Sequence, residues 1–196
     1  MSRGLIRTVS LVLRPKTALP LLTALLIACA GLANAQEIMA GALRTQNGHF
    51  LTAVNGGGIG GPDSGPGQTA LHTDATKIGA WEEFTLVWVN RNQCKFALKT
   101  SNNNFVTAIN GGGIGGPNDR RSPVHSDATA IGEWEHFTIF RKTSNFRVTV
   151  RTSDGRHFLT AVNGGGLGGP NDVPIHTDAT SIGPWEEFTL VPPRCP

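Results

Sequence analysis

The chain has 196 residues, 39% of them apolar, with 17 basic and 14 acidic side chains and a formal charge of +3. Four of the basic residues (Arg3, Arg7, Arg14 and Lys16) stand at the extreme N-terminus with no acidic residue among them, and the remaining 13 face 14 acidic ones. The basic excess therefore gives no grounds for a nucleic-acid binder, because no basic stripe or basic helix is left to follow a phosphate backbone. The loop pair Arg120-Arg121 reads as solvated surface.

In chain order, the basic start leads into an apolar run from Ala18 to Leu32, broken once by Pro20, and then into Ala33-Asn34-Ala35. Basic, apolar and small segments in that order are the pattern of a secretory signal peptide, cleaved here after Ala35. The run is shorter than the roughly 20 apolar residues a spanning helix needs, so no membrane span is expected. Residues 36–196 then form one domain, long enough to bury a core. The expected location is secreted or periplasmic. A second reading takes Leu26-Ile27-Ala28-Cys29 as a bacterial lipobox, with the protein anchored as a lipoprotein through Cys29.

Short strands follow. Ala42 to Thr45 and Phe50 to Val54 have strand composition, and Asn55-Gly56 is a hairpin-type turn, since a type I′ turn needs positive φ at both central positions. Leu71 to Thr73 is a short third strand. Phe84 to Trp88 is a fourth, with Phe84, Leu86 and Trp88 on one face and Thr85 and Val87 on the other. No stretch keeps a 3.6-residue period over the length of a helix.

The same order then recurs twice. Phe50-Leu-Thr-Ala-Val-Asn-Gly-Gly-Gly-Ile-Gly-Gly-Pro62 returns as residues 105–117, with Val106 and Ile109 for Leu51 and Val54, and, with Leu167 for the isoleucine, as residues 158–170. His72-Thr-Asp-Ala-Thr-Lys-Ile-Gly-Ala-Trp-Glu-Glu-Phe-Thr-Leu86 returns as residues 125–139 and 176–190 with few changes. Trp81, Trp134 and Trp185 are 53 and 51 residues apart. The copies span about 40–90, 94–142 and 147–191, each with a first strand of its own (Phe96 to Lys99, Val148 to Arg151).

A unit of about 50 residues in four short strands cannot bury its apolar face alone, so the copies must share a core. Neither end has an atypical polar capping copy, as an open array would require, and closure removes sticky strand edges. Three blades are fewer than a propeller normally uses. The fold class is therefore all-β, a β-trefoil of three internal repeats with four strands each. Cys94 and Cys195 both follow the last strand of a copy. If those ends gather at one side, a disulfide between them is possible after export; it requires Cα atoms within about 7 Å. With no Cys-x-x-Cys, neither a zinc site nor a redox motif is supported.

Three repeats, each with a Phe-Leu-Thr-Ala-like strand, a glycine-rich turn and an Ile-Gly-x-Trp-Glu-x-Phe-Thr-Leu close, resemble the fascin-like β-trefoils over about Ala40 to Val191. Within that group the chain is most similar to bacterial carbohydrate-binding trefoil modules, carbohydrate-binding module family 92 among them. That resemblance implies a β-1,3- and β-1,6-glucan ligand with one site per repeat. Trefoils also serve as lectins, actin bundlers and protease inhibitors, so the fold alone does not give the function.

Comparison between copies marks the candidate residues. Position 83 drifts (Glu83, His136, Glu187), as does position 80 (Ala80, Glu133, Pro184), while Trp-Glu, His-x-Asp and Asn-Gly-Gly-Gly are identical in all three. Trp81, Trp134 and Trp185 face away from Phe84 and its equivalents by alternation. They suit stacking on a sugar ring; the alternative is a lid over the barrel mouth. Glu82, Glu135 and Glu186 share the Phe84 face and would either accept hydrogen bonds from sugar hydroxyls or bind the N–H groups of the Ile-Gly-x-Trp turn. The pairs His72 with Asp74, His125 with Asp127, and His176 with Asp178 can bond vicinal hydroxyls, or Asp can simply close a turn. Two such ligands per copy fall short of a zinc or calcium site, and no metal is expected. Asn55, Asn110 and Asn163 head loops that follow no Rossmann or P-loop order, so no phosphate cradle or other cofactor is implied. Those loops form either a tight bulged hairpin or one wall of a shallow sugar site.

Every invariant polar feature occurs three times, which fits repeated binding sites better than the asymmetric constellation of an enzyme. The sequence therefore points to an exported, non-catalytic, monomeric, lectin-like protein whose partner is a polysaccharide. A fascin-like filament or protein binder and a trefoil protease inhibitor, acting through the long loop Asp63 to Ala70, are the alternatives.

Overall fold

A computed structural model of the chain describes residues 38–60, 69–115, 122–141, 146–169 and 172–192. The expected signal peptide, the lipobox cysteine Cys29, the Arg120-Arg121 pair, Cys195 and residues 63–68 of the long loop lie outside them.

Each copy supplies four strands. They are Ile38–Arg44 (β1), Phe50–Ala53 (β2), Leu71–Ala75 (β3) and Phe84–Asn90 (β4) in the first copy. The second has Lys95–Lys99 (β5), Phe105–Ala108 (β6), Val124–Ala128 (β7) and Phe137–Arg141 (β8), and the third Arg147–Arg151 (β9), Phe158–Ala161 (β10), Ile175–Ala179 (β11) and Glu187–Val191 (β12). The first and last strands of every copy close into an antiparallel barrel. β1 pairs with β4 and β12, β4 with β5, β5 with β8, β8 with β9, and β9 with β12. The inner strands form three hairpins, β2–β3, β6–β7 and β10–β11, that cap one end of the barrel. This is the trefoil arrangement expected from the repeats.

The core explains why three copies are required. Equivalent residues stack in layers of three: Phe84 with Phe137 and Phe188, Leu43 with Leu98 and Val150, Leu51 with Val106 and Leu159, and Leu71 with Val124 and Ile175, all buried in one cluster. Each such side chain contributes about 1.5–3 kcal/mol of burial, and each layer exists only when all three copies are present. Leu86 and Trp88 pack against the same cluster, as the sequence predicts, and Val87 on the opposite face of β4 is also buried.

The glycine-rich segments differ from the expected tight hairpin. Asn55 and Gly56 do take positive φ (56° and 77°), and Gly57 N–H donates to the Val54 carbonyl at 3.0 Å, which closes the turn. The next strand, however, begins only at Leu71. The turn instead sends the chain sideways into the neighbouring copy. Gly58 N–H donates to the Ser126 carbonyl and Ser126 N–H donates to Ile59, both at 2.7 Å. Gly113 and Ile114 join Thr177 in the same way, and Gly166 and Leu167 join Thr73, so the three loops lock the cap in a ring.

A second clasp distinguishes the copies. Asn47 Nδ2 donates to the Asn163 carbonyl (2.9 Å), and Asn102 Nδ2 donates to the Asn55 carbonyl (2.8 Å). The third copy has Asp154, which cannot donate. Its carboxylate turns back to accept from Arg156 N–H (2.9 Å), His157 N–H (3.1 Å), the Thr152 hydroxyl (3.0 Å) and the His157 ring. Partial burial opposes its ionisation, but these hydrogen bonds outweigh it and lower the carboxyl pKa to about 2. A depressed carboxyl pKa contributes stability that is complete above the unfolded value and lost as pH falls through the folded one. Asp154→Ala, which removes the carboxylate without supplying the asparagine clasp, should therefore lower the urea midpoint at neutral pH, and its difference from the parent protein should shrink from about pH 3.8 down to about pH 2.

At the opposite end of the barrel the β4–β5 turn holds Cys94, which is disulfide-bonded. β12 runs to the same end, and its sequence continues to Cys195, the partner the sequence suggests.

Candidate functional site

The Ile-Gly-x-Trp-Glu segments form tight turns just before β4, β8 and β12, at the cap end of the barrel. Each turn is held by its glutamate. Glu82 Oε1 accepts from the Thr52 hydroxyl at 2.8 Å and Oε2 accepts from Gly79 N–H at 2.7 Å. Glu135 does the same with Thr107 (2.6 Å) and Gly132 (2.7 Å), and Glu186 with Thr160 (2.8 Å) and Gly183 (2.7 Å). All three carboxylates are buried. Of the two roles the sequence leaves open for Glu82, Glu135 and Glu186, the geometry supplies the turn-holding one. Both oxygens are engaged inside the protein rather than offered to a ligand.

The adjacent tryptophans go the other way. Trp81, Trp134 and Trp185 are 47%, 45% and 44% exposed, against 1% for each of Phe84, Phe137 and Phe188 three residues later. None lies over the barrel mouth as a buried lid. A large aromatic left in solvent at three equivalent positions, on a turn fixed by a buried carboxylate, is a pre-organised apolar platform.

Strand register sets each His-x-Asp pair beside the turn-holding threonine. His72 lies opposite Thr52, His125 opposite Thr107 and His176 opposite Thr160, and each of these threonines is the one that holds the glutamate. Within each pair the imidazole Nδ1 and carboxylate Oδ1 are 3.9, 4.0 and 3.8 Å apart. The histidines are half-buried, while the Asp side chains remain 53%, 46% and 42% exposed. Burial pushes the His125 pKa below its ordinary value, and Asp127 offsets this only in part. At neutral pH that imidazole is therefore uncharged and can both donate and accept.

The preceding copy supplies a wall. A Cβ on Gly60 would sit 1.9 Å from Asp127 Oδ1, one on Gly115 2.4 Å from Asp178 Oδ1, and one on Gly168 2.2 Å from Asp74 Cγ. The glycine after Ile59, Ile114 or Leu167 is thus required by close approach to the next copy's carboxylate. Each candidate site consequently straddles two copies, and the three sites are generated together when the cap closes.

Asn55, Asn110 and Asn163 are exposed at the heads of these loops, and the Asn110 and Asn163 turns pack against the Trp134 and Trp185 turns. Their evident task is backbone: each takes a φ of 56° to 57°, which Asn tolerates better than most residues. The threonines that hold the glutamates were not singled out by sequence reasoning, although Thr52, Thr107 and Thr160 are identical in all three copies and that signal was present.

Two clefts of about 510 and 490 Å³ lie beside the third and first turns, lined among others by Arg44, Arg147 and Ile182, and by Lys77, Ile78 and Glu83. Neither is lined by a candidate Trp, His or Asp. Among the described residues no three His, Cys, Asp or Glu side chains gather as a metal site would require.

No protein-family model and no curated protein matches the chain. Solved structures do. A designed three-fold symmetric protein, ThreeFoil, is similar at a TM-score of 0.57 and 12% identity, over 78% of this chain and 97% of its own. An agglutinin from Rhizoctonia solani is similar at 0.57 and 14%, over 84% of this chain and 100% of its own. The BEL β-trefoil is similar at 0.54 and 10%, over 81% and 95%. These likenesses concern the backbone: the chain is a β-trefoil.

Proposed function

We propose that the protein is an exported, non-catalytic carbohydrate-binding module with three equivalent shallow sites for a β-glucan-type polysaccharide, acting as a monomer. The observation that carries this reading is the threefold exposure of Trp81, Trp134 and Trp185 on turns locked by Glu82, Glu135 and Glu186. Each exposed indole offers a flat apolar surface to the C–H face of a pyranose ring. The His–Asp pair of the same copy offers acceptors and a donor for sugar hydroxyls. Exposure argues for a polymer: half-exposed platforms give weak single sites, and three sites on one rigid body compensate through effective concentration.

The resemblance of the repeat to carbohydrate-binding module family 92 narrows the ligand to β-1,3- and β-1,6-glucans, and an agglutinin among the structural neighbours agrees with a lectin-like role. The N-terminal sequence pattern supports export. A glycan array probed with the parent protein and with the variant lacking all three tryptophans tests this reading. β-Glucan oligomers should score with the parent alone. An array on which both proteins give the same signals would remove the tryptophans from the function.

A further inference from the structure

Register lines up one row of side chains across three neighbouring strands. Arg44 on β1 lies opposite Thr189 on β12, and Thr189 lies opposite Arg147 on β9. Their chain neighbours Leu43, Phe188, Leu190 and Val148 are in the core, so alternation turns all three members of the row outward. Arg44 is exposed, Arg147 is 60% exposed, and Thr189 is half-buried between them. Neighbouring strands lie about 4.8 Å apart, so the two arginines start about 10 Å from each other and both are long enough to reach the space above Thr189.

Every copy has such a row, and the third differs from its mates. The other two read Ala40, Thr85, Lys99 and Lys95, Thr138, Arg151. In the second copy the Arg151 guanidinium lies over the Phe140 ring, 4.5 Å from its centroid, and Thr138 is buried. The third copy has Val191 at the place of Phe140. Arg44, Thr189 and Arg147 together line the cleft of about 510 Å³. The one acidic residue in that lining, Glu187, accepts from Arg147 Nη1 at 3.1 Å. Two guanidinium groups against one carboxylate leave the cleft with a net positive charge. Ile182, 47% exposed, and Pro184 give it an apolar flank, and both belong to the turn that carries Trp185.

We propose that this cleft is an acid-specific subsite of the third copy, holding the carboxylate of a uronic acid residue above Thr189. Arg44 supplies a planar pair of N–H donors to that carboxylate. Arg147 gives one donor to Glu187 and has others left for the ligand, and the Thr189 hydroxyl donates from the sheet. The C–H face of the ring lies on Ile182 and Pro184. A cleft of this volume is in the usual range for a small ligand, about 300–1,000 Å³. The inference rests on the sugar-binding reading for the identity of the ring, but the cation row uses none of the tryptophans, His–Asp pairs or turn glutamates.

NMR titration of the isotope-labelled protein with methyl β-glucuronide, methyl β-glucoside and sodium acetate tests it. The glucuronide should shift resonances of β12 and its flanking strands, bind there about tenfold or more tighter than the glucoside, and weaken as salt is raised. Arg44→Gln leaves the Arg147–Glu187 pair in place and should weaken the glucuronide by about tenfold; adding Arg147→Gln should abolish its binding. An unchanged melting temperature would show that the fold is kept. The proposal is overturned if the glucuronide binds no tighter than the glucoside, or if the double variant binds it as the parent does. Acetate bound as tightly as the glucuronide would make the cleft a general anion site and overturn it too. Glucuronide binding that depends on both arginines, in a protein that takes up no neutral β-glucan oligosaccharide, would uphold the subsite while removing the tryptophan sites.

Discussion

Glu135→Ala should destabilise the protein by about 3 kcal/mol and remove one binding site, although its carboxylate faces no ligand. The side chain is 7% exposed and accepts from the Thr107 hydroxyl and from Gly132 N–H. Hydrogen bonds to a charged acceptor are worth about 1.5–3 kcal/mol each, and alanine leaves both donors without a partner in a buried place. The turn carrying Trp134 then loses what fixes it. Glu135→Gln keeps the shape and one acceptor oxygen, so it should cost about half as much. Trp134→Ala, by contrast, removes a half-exposed side chain and should cost less than about 1 kcal/mol. Urea midpoints for the three variants measure this order directly. A Glu135→Ala protein as stable as its parent would mean that the carboxylate holds nothing.

The second large effect concerns polymer binding. Retention on insoluble β-glucan should fall by about tenfold or more with each tryptophan replaced by alanine, because three weak sites on one body multiply through effective concentration. The single, double and triple variants should therefore descend in steps, and the triple variant should pass through unretained while remaining folded. Pull-down on the particulate glucan, with circular dichroism on the same samples, reads both quantities. Loss of all binding on the first replacement would point to one dominant site.

Much of this architecture was legible in the sequence because its cause is local and repeated three times. The layers of Phe84, Phe137 and Phe188, and of Leu51, Val106 and Leu159, follow from alternation along short strands, and closure follows from the lack of any capping copy. The outward direction of Trp81 and the inward one of Glu82 also follow from counting along β4. What alternation does not carry is contact between copies. The sideways path of Gly57 to Gly60 into β7, and the approach of Gly60 to Asp127, depend on how the three hairpins meet, and nothing in one copy's period records that. The role of Glu135 was left open for the same reason, since its partner Thr107 is 28 residues away.

The central claim is that each exposed tryptophan marks an independent sugar site. Calorimetric titration with a short soluble β-glucan oligosaccharide tests it most directly. The parent should bind three molecules of sugar and Trp134→Ala two, the remaining sites keeping their affinity because separated sites act additively. Unchanged stoichiometry in Trp134→Ala, together with a sharply lowered melting temperature, would contradict the claim and make Trp134 a packing residue.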